Sequence, residues 1–159
     1  MPNTNEFAAV IKLFNLQKLL FENVLIDISE EDSEKAPNEN TNHIKWIAGH
    51  AVSSRHFLIK VLGGDSEFKY DNIFGSKSKA EGITDFPTIS EIMQGWDELH
   101  EKVIKTIEQA DESILEQDAP FGGGTKRDMV VFFAHHEAYH IGQISILRRY
   151  FGYQPMKYN

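Results

Sequence analysis

Apolar residues recur at three- and four-residue intervals in four separate stretches of this sequence, and nowhere do they convincingly alternate in twos. The first pattern gives a helix one apolar side, whereas the second would give a strand one apolar face, so the chain is predicted to be all helical. One stretch, from about Asn5 to Ile28, carries Phe7, Val10, Ile11, Phe14 and further apolar residues to Leu25, with no Pro or Gly inside. Asn3 or Thr4 is placed to cap its start. A second runs from about Thr41 to Leu62, with Ile47, His50, Ser54, Phe57 and Val61 in one stripe and Gly63-Gly64 as its stop. Thr88-Ile89-Ser90-Glu91 has the capping-box pattern and opens a third, which ends near Ala110 or Asp111. Thr125 to Asp128 begins a fourth, which runs to about Phe151.

Four helices with one apolar side each predict a four-helix bundle, here as one domain over residues 1–159. The segment from 65 to 87 is long for a structureless connection, and it carries Phe68, Tyr70, Ile73 and Phe74. It is read as a crossover that anchors its aromatics on the bundle, a lid being the alternative, and it would let the second and third helices run the same way. Residues Glu112 to Ala119 read as a loose turn. Gly122-Gly123-Gly124 follows no strand and lacks the Lys-Ser/Thr of a phosphate loop, so that motif is rejected.

A net charge of −8 argues against nucleic acid, which wants a basic face. There is no cysteine, hence no disulfide, no thiolate ligand and no cysteine nucleophile. The absence of a basic-then-apolar leader, and of any run near the roughly 20 apolar residues of a membrane span, leads us to expect a cytoplasmic protein without membrane partners.

The chemistry concentrates in Phe133-Ala134-His135-His136-Glu137-Ala138-Tyr139-His140-Ile141-Gly142-Gln143. His136 and His140 stand one helical turn apart, so their rings project from the same side as a two-point metal clamp. Neutral imidazoles suit zinc, nickel, cobalt or iron, and three protein ligands leave a position open for water or substrate. His50, on the inner side of the second helix, is the best candidate for the third. His43 lies on the same side two turns earlier. His135 aligns with Tyr139 and is read as standing behind the ligands or partly exposed, and His100 as partly exposed. Gly142 is expected to allow a close helix contact or room near the site.

The string from His136 to His140 is also the H-E-x-x-H of zinc proteases. After His140 the chain contains no Asp, Glu or His to complete such a site, and no sheet edge is predicted to hold a peptide. Glu137 is read as an exposed helix residue, with a role as base for a bound water the weaker alternative.

Trp46-Ile47-Ala48-Gly49-His50, together with His136-Glu137-Ala138-Tyr139-His140-Ile141-Gly142-Gln143-Ile144 and Leu147-Arg148, resembles the DinB / YfiT-like superfamily over nearly the whole chain. The resemblance implies an up-down-down-up bundle with a long crossover between the second and third helices. Such proteins are often dimeric, with three histidines on a divalent metal, commonly nickel or zinc. Carried onto this sequence, the ligands are His50, His136 and His140. The family includes S-transferases that use bacillithiol or a similar small thiol, so the expected activity is metal-dependent transfer of such a thiol to an electrophile. Trp46, Tyr139 and Gln143 are the residues expected to line the small-molecule substrate's cleft, and a homodimer is the expected assembly. The alternatives are a non-catalytic, stress-associated metal-binding bundle and, more remotely, a metal-dependent hydrolase.

Overall fold

A computed structural model of the protein describes residues 6–75, 78, 80 and 82–159. Its helices are α1 (Ala8–Leu25), α2 (Glu30–Ser33), α3 (Ile44–Val61), α4 (Asp71–Phe74), α5 (Ile89–Gln109), α6 (Glu112–Leu115) and α7 (Lys126–Tyr150). The four long ones, α1, α3, α5 and α7, are the four apolar-striped stretches, each slightly shorter than expected. Among the described residues there is no strand, only an isolated bridge between Asp118 and Thr125.

Local chemistry sets the ends. Thr88 Oγ1 accepts from the Glu91 N–H while the Glu91 carboxylate accepts from the Thr88 N–H, closing the expected capping box. The Asp128 carboxylate likewise accepts from the Thr125 N–H. The cap expected at Asn3 or Thr4 lies outside the described residues. His43 is itself a cap: its Nδ1 accepts the Trp46 N–H at 3.1 Å, one of the donors an α-helix start leaves over. The loose turn expected over Glu112–Ala119 contains α6, where Asp111 accepts from the Ser113 N–H.

Side-chain pairs give the helix directions. Gln17 donates to the carbonyl of Ala134 and Arg148 to those of Asn23 and Val24, so α1 and α7 run parallel. Lys18 meets Asp97 while Asn15 meets His100, so α5 runs against α1. Arg55 meets Glu137 and Phe57 meets Phe133, which sets α3 against α7. The topology is therefore up-down-down-up, as expected, with α1 and α3 each packed on both α5 and α7. α1 and α3, and likewise α5 and α7, sit on the diagonals, whereas α3 and α5 are parallel neighbours, so the chain must travel back along the bundle after α3, which is what needs the long crossover.

Phe14, Phe21 and Trp96 are fully buried at the centre, with Phe21 and Trp96 stacked at 4.1 Å. The crossover is anchored by its aromatics. Phe74, at the end of α4, is fully buried and lies flat on Gly49, where a Cβ would come within 2.4 Å of the ring. Phe68, Tyr70 and Phe86 pack beside it on the core. No helix among the described residues is long and apolar enough to cross a membrane.

Candidate metal centre

The deepest layer of α3 is not quite the stripe expected of it. Ala48, Ala51, Val52, Arg55, Leu58 and Ile59 point inward, and the His50 side of the helix is turned toward α7. That rotation brings His50 to the clamp. One ring nitrogen from each of His50, His136 and His140 lies within 4.8 Å of the others, and the three could hold a metal ion. The ring centroids are 5.3 Å apart for His50–His136, 5.0 Å for His50–His140 and 4.3 Å for His136–His140.

Hydrogen bonds orient two of the rings. His50 Nδ1 sits 2.7 Å from the carbonyl oxygen of Phe74, which can only accept, so the proton is on Nδ1 and the Nε2 lone pair is left for another partner. His140 Nδ1 sits 2.7 Å from Gln143 Oε1, and the Gln143 amide nitrogen donates to the Tyr139 hydroxyl at 3.0 Å. Its Nε2 is thereby also a bare lone pair. Outer hydrogen bonds of this kind fix tautomer and aim in histidine metal sites.

The third ring tests whether an ion fits. His136 Nε2 lies 3.1 Å from His140 Nε2, while its Nδ1 is buried without a hydrogen-bond partner. A proton on Nε2 leaves a buried lone pair on Nδ1, and a proton on Nδ1 sets two lone pairs face to face. Neither protonation satisfies both nitrogens. A cation held by the three rings would remove the repulsion between facing Nε2 lone pairs, and three neutral imidazoles are a donor set that zinc or nickel accepts.

Burial keeps the rings neutral. It pulls His136 down to about 3, helped by charge on His140 and His50, and His140 down to about 4 against the opposing Gln143 bond. Burial lowers His50 too, with the Phe74 carbonyl opposing. At neutral pH all three rings are thus uncharged, each with one nitrogen lone pair, the state a metal needs.

Of the residues expected beside the metal, Trp46, Tyr139 and Gln143 line one cavity of about 540 Å³ with all three histidines. Trp46 stacks on His50 at 4.8 Å. His135 is exposed, as one alternative had it. Glu137 corrects an expectation: it is 1% exposed, and both its oxygens accept from Arg55, at 2.7 and 3.1 Å. Burial raises its pKa and Arg55 opposes the rise. His100 is also buried rather than partly exposed, with Arg55 and Asn15 as neighbours. At Gly142 the close helix contact is not found, since nothing among the described residues lies within 4 Å of where its Cβ would be.

The Arg55–Glu137 pair was missed although a signal existed. Arg55 and Glu137 are the single charged residues in otherwise apolar stripes, Ala48 to Ile59 on α3 and Val130 to Ile144 on α7. Two opposite charges in two inner stripes announce a buried pair. The Phe74 carbonyl could not be read at all, because a backbone acceptor carries no residue code.

The fold and cluster define a class: a four-helix bundle with a three-histidine site between antiparallel helices. The sequence profile of the DinB superfamily matches residues 17–144, and the chain belongs to that superfamily. A conserved protein from Enterococcus faecalis shares 14% identity at a TM-score of 0.71, with 91% of this chain and 95% of that one aligned. A DinB-like protein from Bacillus subtilis, YjoA, shares 18% at a TM-score of 0.60, with 94% and 96% aligned. At those identities the likeness shows the fold. No curated protein matches the sequence.

Proposed function

We propose that this protein holds a divalent metal, nickel or zinc, on His50, His136 and His140, and transfers a small thiol of the bacillithiol type to an electrophile. One observation carries the reading: three neutral imidazoles converge within metal-binding reach of one another, two of them aimed by outer hydrogen bonds and the third with a buried nitrogen left without a partner. A metal held there lowers the pKa of a bound thiol or water and so supplies a nucleophile at neutral pH. The protein's own residues do the rest. The Phe74 carbonyl and Gln143 hold the rings in register, Trp46 shields His50 from one side, and Tyr139 and Gln143 offer polar contacts within the same cavity. Glu137, locked to Arg55, supports the α3–α7 contact rather than serving as a base.

The chain would act as a homodimer. Val131, His135, Ala138 and Gly142 share an exposed side of α7, and Leu13 and Leu16 are exposed on the neighbouring α1. A second copy covering this side would explain a glycine with nothing near it.

The test is elemental analysis of untagged protein, followed by turnover with a panel of small thiols and electrophiles. The expected result is one metal per chain and thiol-dependent product, both lost in His50→Ala. Stoichiometric metal without turnover on any thiol–electrophile pair would leave a metal-binding bundle and overturn the transferase.

A further inference from the structure

The outer side of α7 is bare of charge. From Met129 to Leu147, about five helical turns, the one Asp, Glu, Lys or Arg is Glu137, and it is buried against Arg55. A quarter of the chain is charged, with a net −8, so a surface helix without an outward charge over that length is unusual. Arg149 comes next, but its guanidinium turns back to the Tyr153 carbonyl of its own chain. Leu13 and Leu16 on α1, with Val131, Tyr139, Ile146 and Tyr150 on α7, are each between 45% and 72% exposed. Apolar side chains gathered in this way mark an interaction site. Two chains of −8 repel one another wherever their carboxylates face, so this uncharged side is where a second copy can approach.

The small residues fix how two such sides meet. Gly142 lies in the middle of the outer side, with nothing among the described residues within 4 Å of a Cβ built there. A two-fold axis makes every contact between identical surfaces reciprocal. With α7 crossing the partner's α7 antiparallel at Gly142, positions equally far on either side of that glycine come opposite one another. Ala138, small and exposed, then faces the partner's Ile146, which is 72% exposed in the single chain. One turn further out, the level of Ala134 faces the partner's Tyr150. Leu16 stands exposed at that level, because its neighbour Gln17 donates to the Ala134 carbonyl. Bulk meets a gap at the first position and an apolar side chain at the second.

We infer that two copies join through this antiparallel crossing at Gly142, and that the partner's Ile146 packs on Tyr139 and finishes the rim of the metal-centre cavity. The inference rests on the homodimer proposed above and is independent of the transferase reading. Tyr139 and Ile146 both line the 540 Å³ cavity with the three histidines. The Tyr139 hydroxyl accepts from the Gln143 amide, whose oxygen lies 2.7 Å from His140 Nδ1. A partner seated on the Tyr139 ring thus steadies the hydrogen-bond chain that aims His140.

Because the chain has no cysteine, an introduced one has no competitor. Gly142→Cys should oxidise to a covalent dimer. Ala138→Cys and Ile146→Cys should each fail to link alone and should link when refolded together. The two copies of either position stand about 12 Å apart along the helix, at about 1.5 Å per residue, beyond the roughly 7 Å between Cα atoms that a disulfide spans. Sedimentation equilibrium should give a dimer for the wild type. Leu16→Glu, which puts a carboxylate on the uncharged side from a different helix, should give a monomer that keeps its melting temperature. Nitration of Tyr139 by tetranitromethane, read by peptide mass spectrometry against Tyr70 on the crossover, should be several-fold slower in the wild type than in that monomer. A wild-type monomer overturns the homodimer itself. A dimer in which Ala138→Cys links to itself, or Gly142→Cys does not link, keeps the homodimer and overturns the crossing. The expected links with equal nitration of Tyr139 in the two proteins overturn the role at the cavity.

Discussion

Two buried polar groups bridge α3 and α7, close together in both helices, and they are finished in opposite ways. Arg55 and Glu137 form a two-point ion pair, with the guanidinium 3.2 Å from the centre of the Trp96 ring and further polar neighbours in His100 and the Phe14 carbonyl. The charges are matched within the chain, and the site closes on itself. The histidine cluster beside it has two rings firmly aimed and a third with no satisfactory proton position. Buried polar groups are normally satisfied, so a matched network reads as framework and an unmatched one as a place for something else. The difference lies in the partners more than in the burial: Glu137 and His140 are both below a tenth exposed, although His50 and His136 are half-buried.

That contrast can be broken most forcefully at Glu137. Glu137→Ala leaves the Arg55 charge buried and alone, and is expected to destabilise the fold by about 3–5 kcal/mol, read by denaturant unfolding. His136→Ala in chelated protein should cost far less, because it relieves the facing nitrogens. A similar cost for the two would erase the distinction between framework and site.

Metal uptake should separate the regions in the other direction. His50→Ala is expected to abolish stoichiometric nickel or zinc while leaving the fold intact, checked by elemental analysis beside a melting curve. Gly49→Ala forces Phe74 off α3 and should cost about 1–3 kcal/mol of stability by overpacking, measured by unfolding. It should also weaken metal binding, since the Phe74 carbonyl that aims His50 moves with the ring. Gln143→Leu keeps the volume but removes the acceptor for His140, and an affinity loss of about 10- to 100-fold is expected by competition with a chelating dye.

The contrast also has a signature in pH dependence. His136 and His140 sit near 3 and 4 in the fold against an ordinary 6.5, so below 6.5 the unfolded chain takes up protons that the folded chain refuses. Stability of the chelated protein should therefore fall as pH drops from about 6.5 toward 4, and level off below the folded values. A double His136→Gln, His140→Gln variant should flatten that fall in melting temperature. A curve unchanged by the double substitution would mean that other groups carry the acid sensitivity.

Periodicity alone determined the four long helices, and the clamp followed from it, because the one-turn spacing of His136 and His140 is a property of any α-helix. The capping boxes at Thr88 and Thr125 were equally local, requiring nothing beyond four consecutive residues, about one turn of chain. Gly49 was visible as a residue but not as a reason, since the ring it admits comes from another segment. Tertiary structure decided how far α3 rotates, and so both that His50 meets the clamp and that Arg55 meets Glu137. It also decided the histidines' protonation, because burial and a carbonyl from α4 act through space. Helical spacing is fixed by bonded geometry within a few residues, whereas partners across the bundle depend on packing that no short stretch encodes.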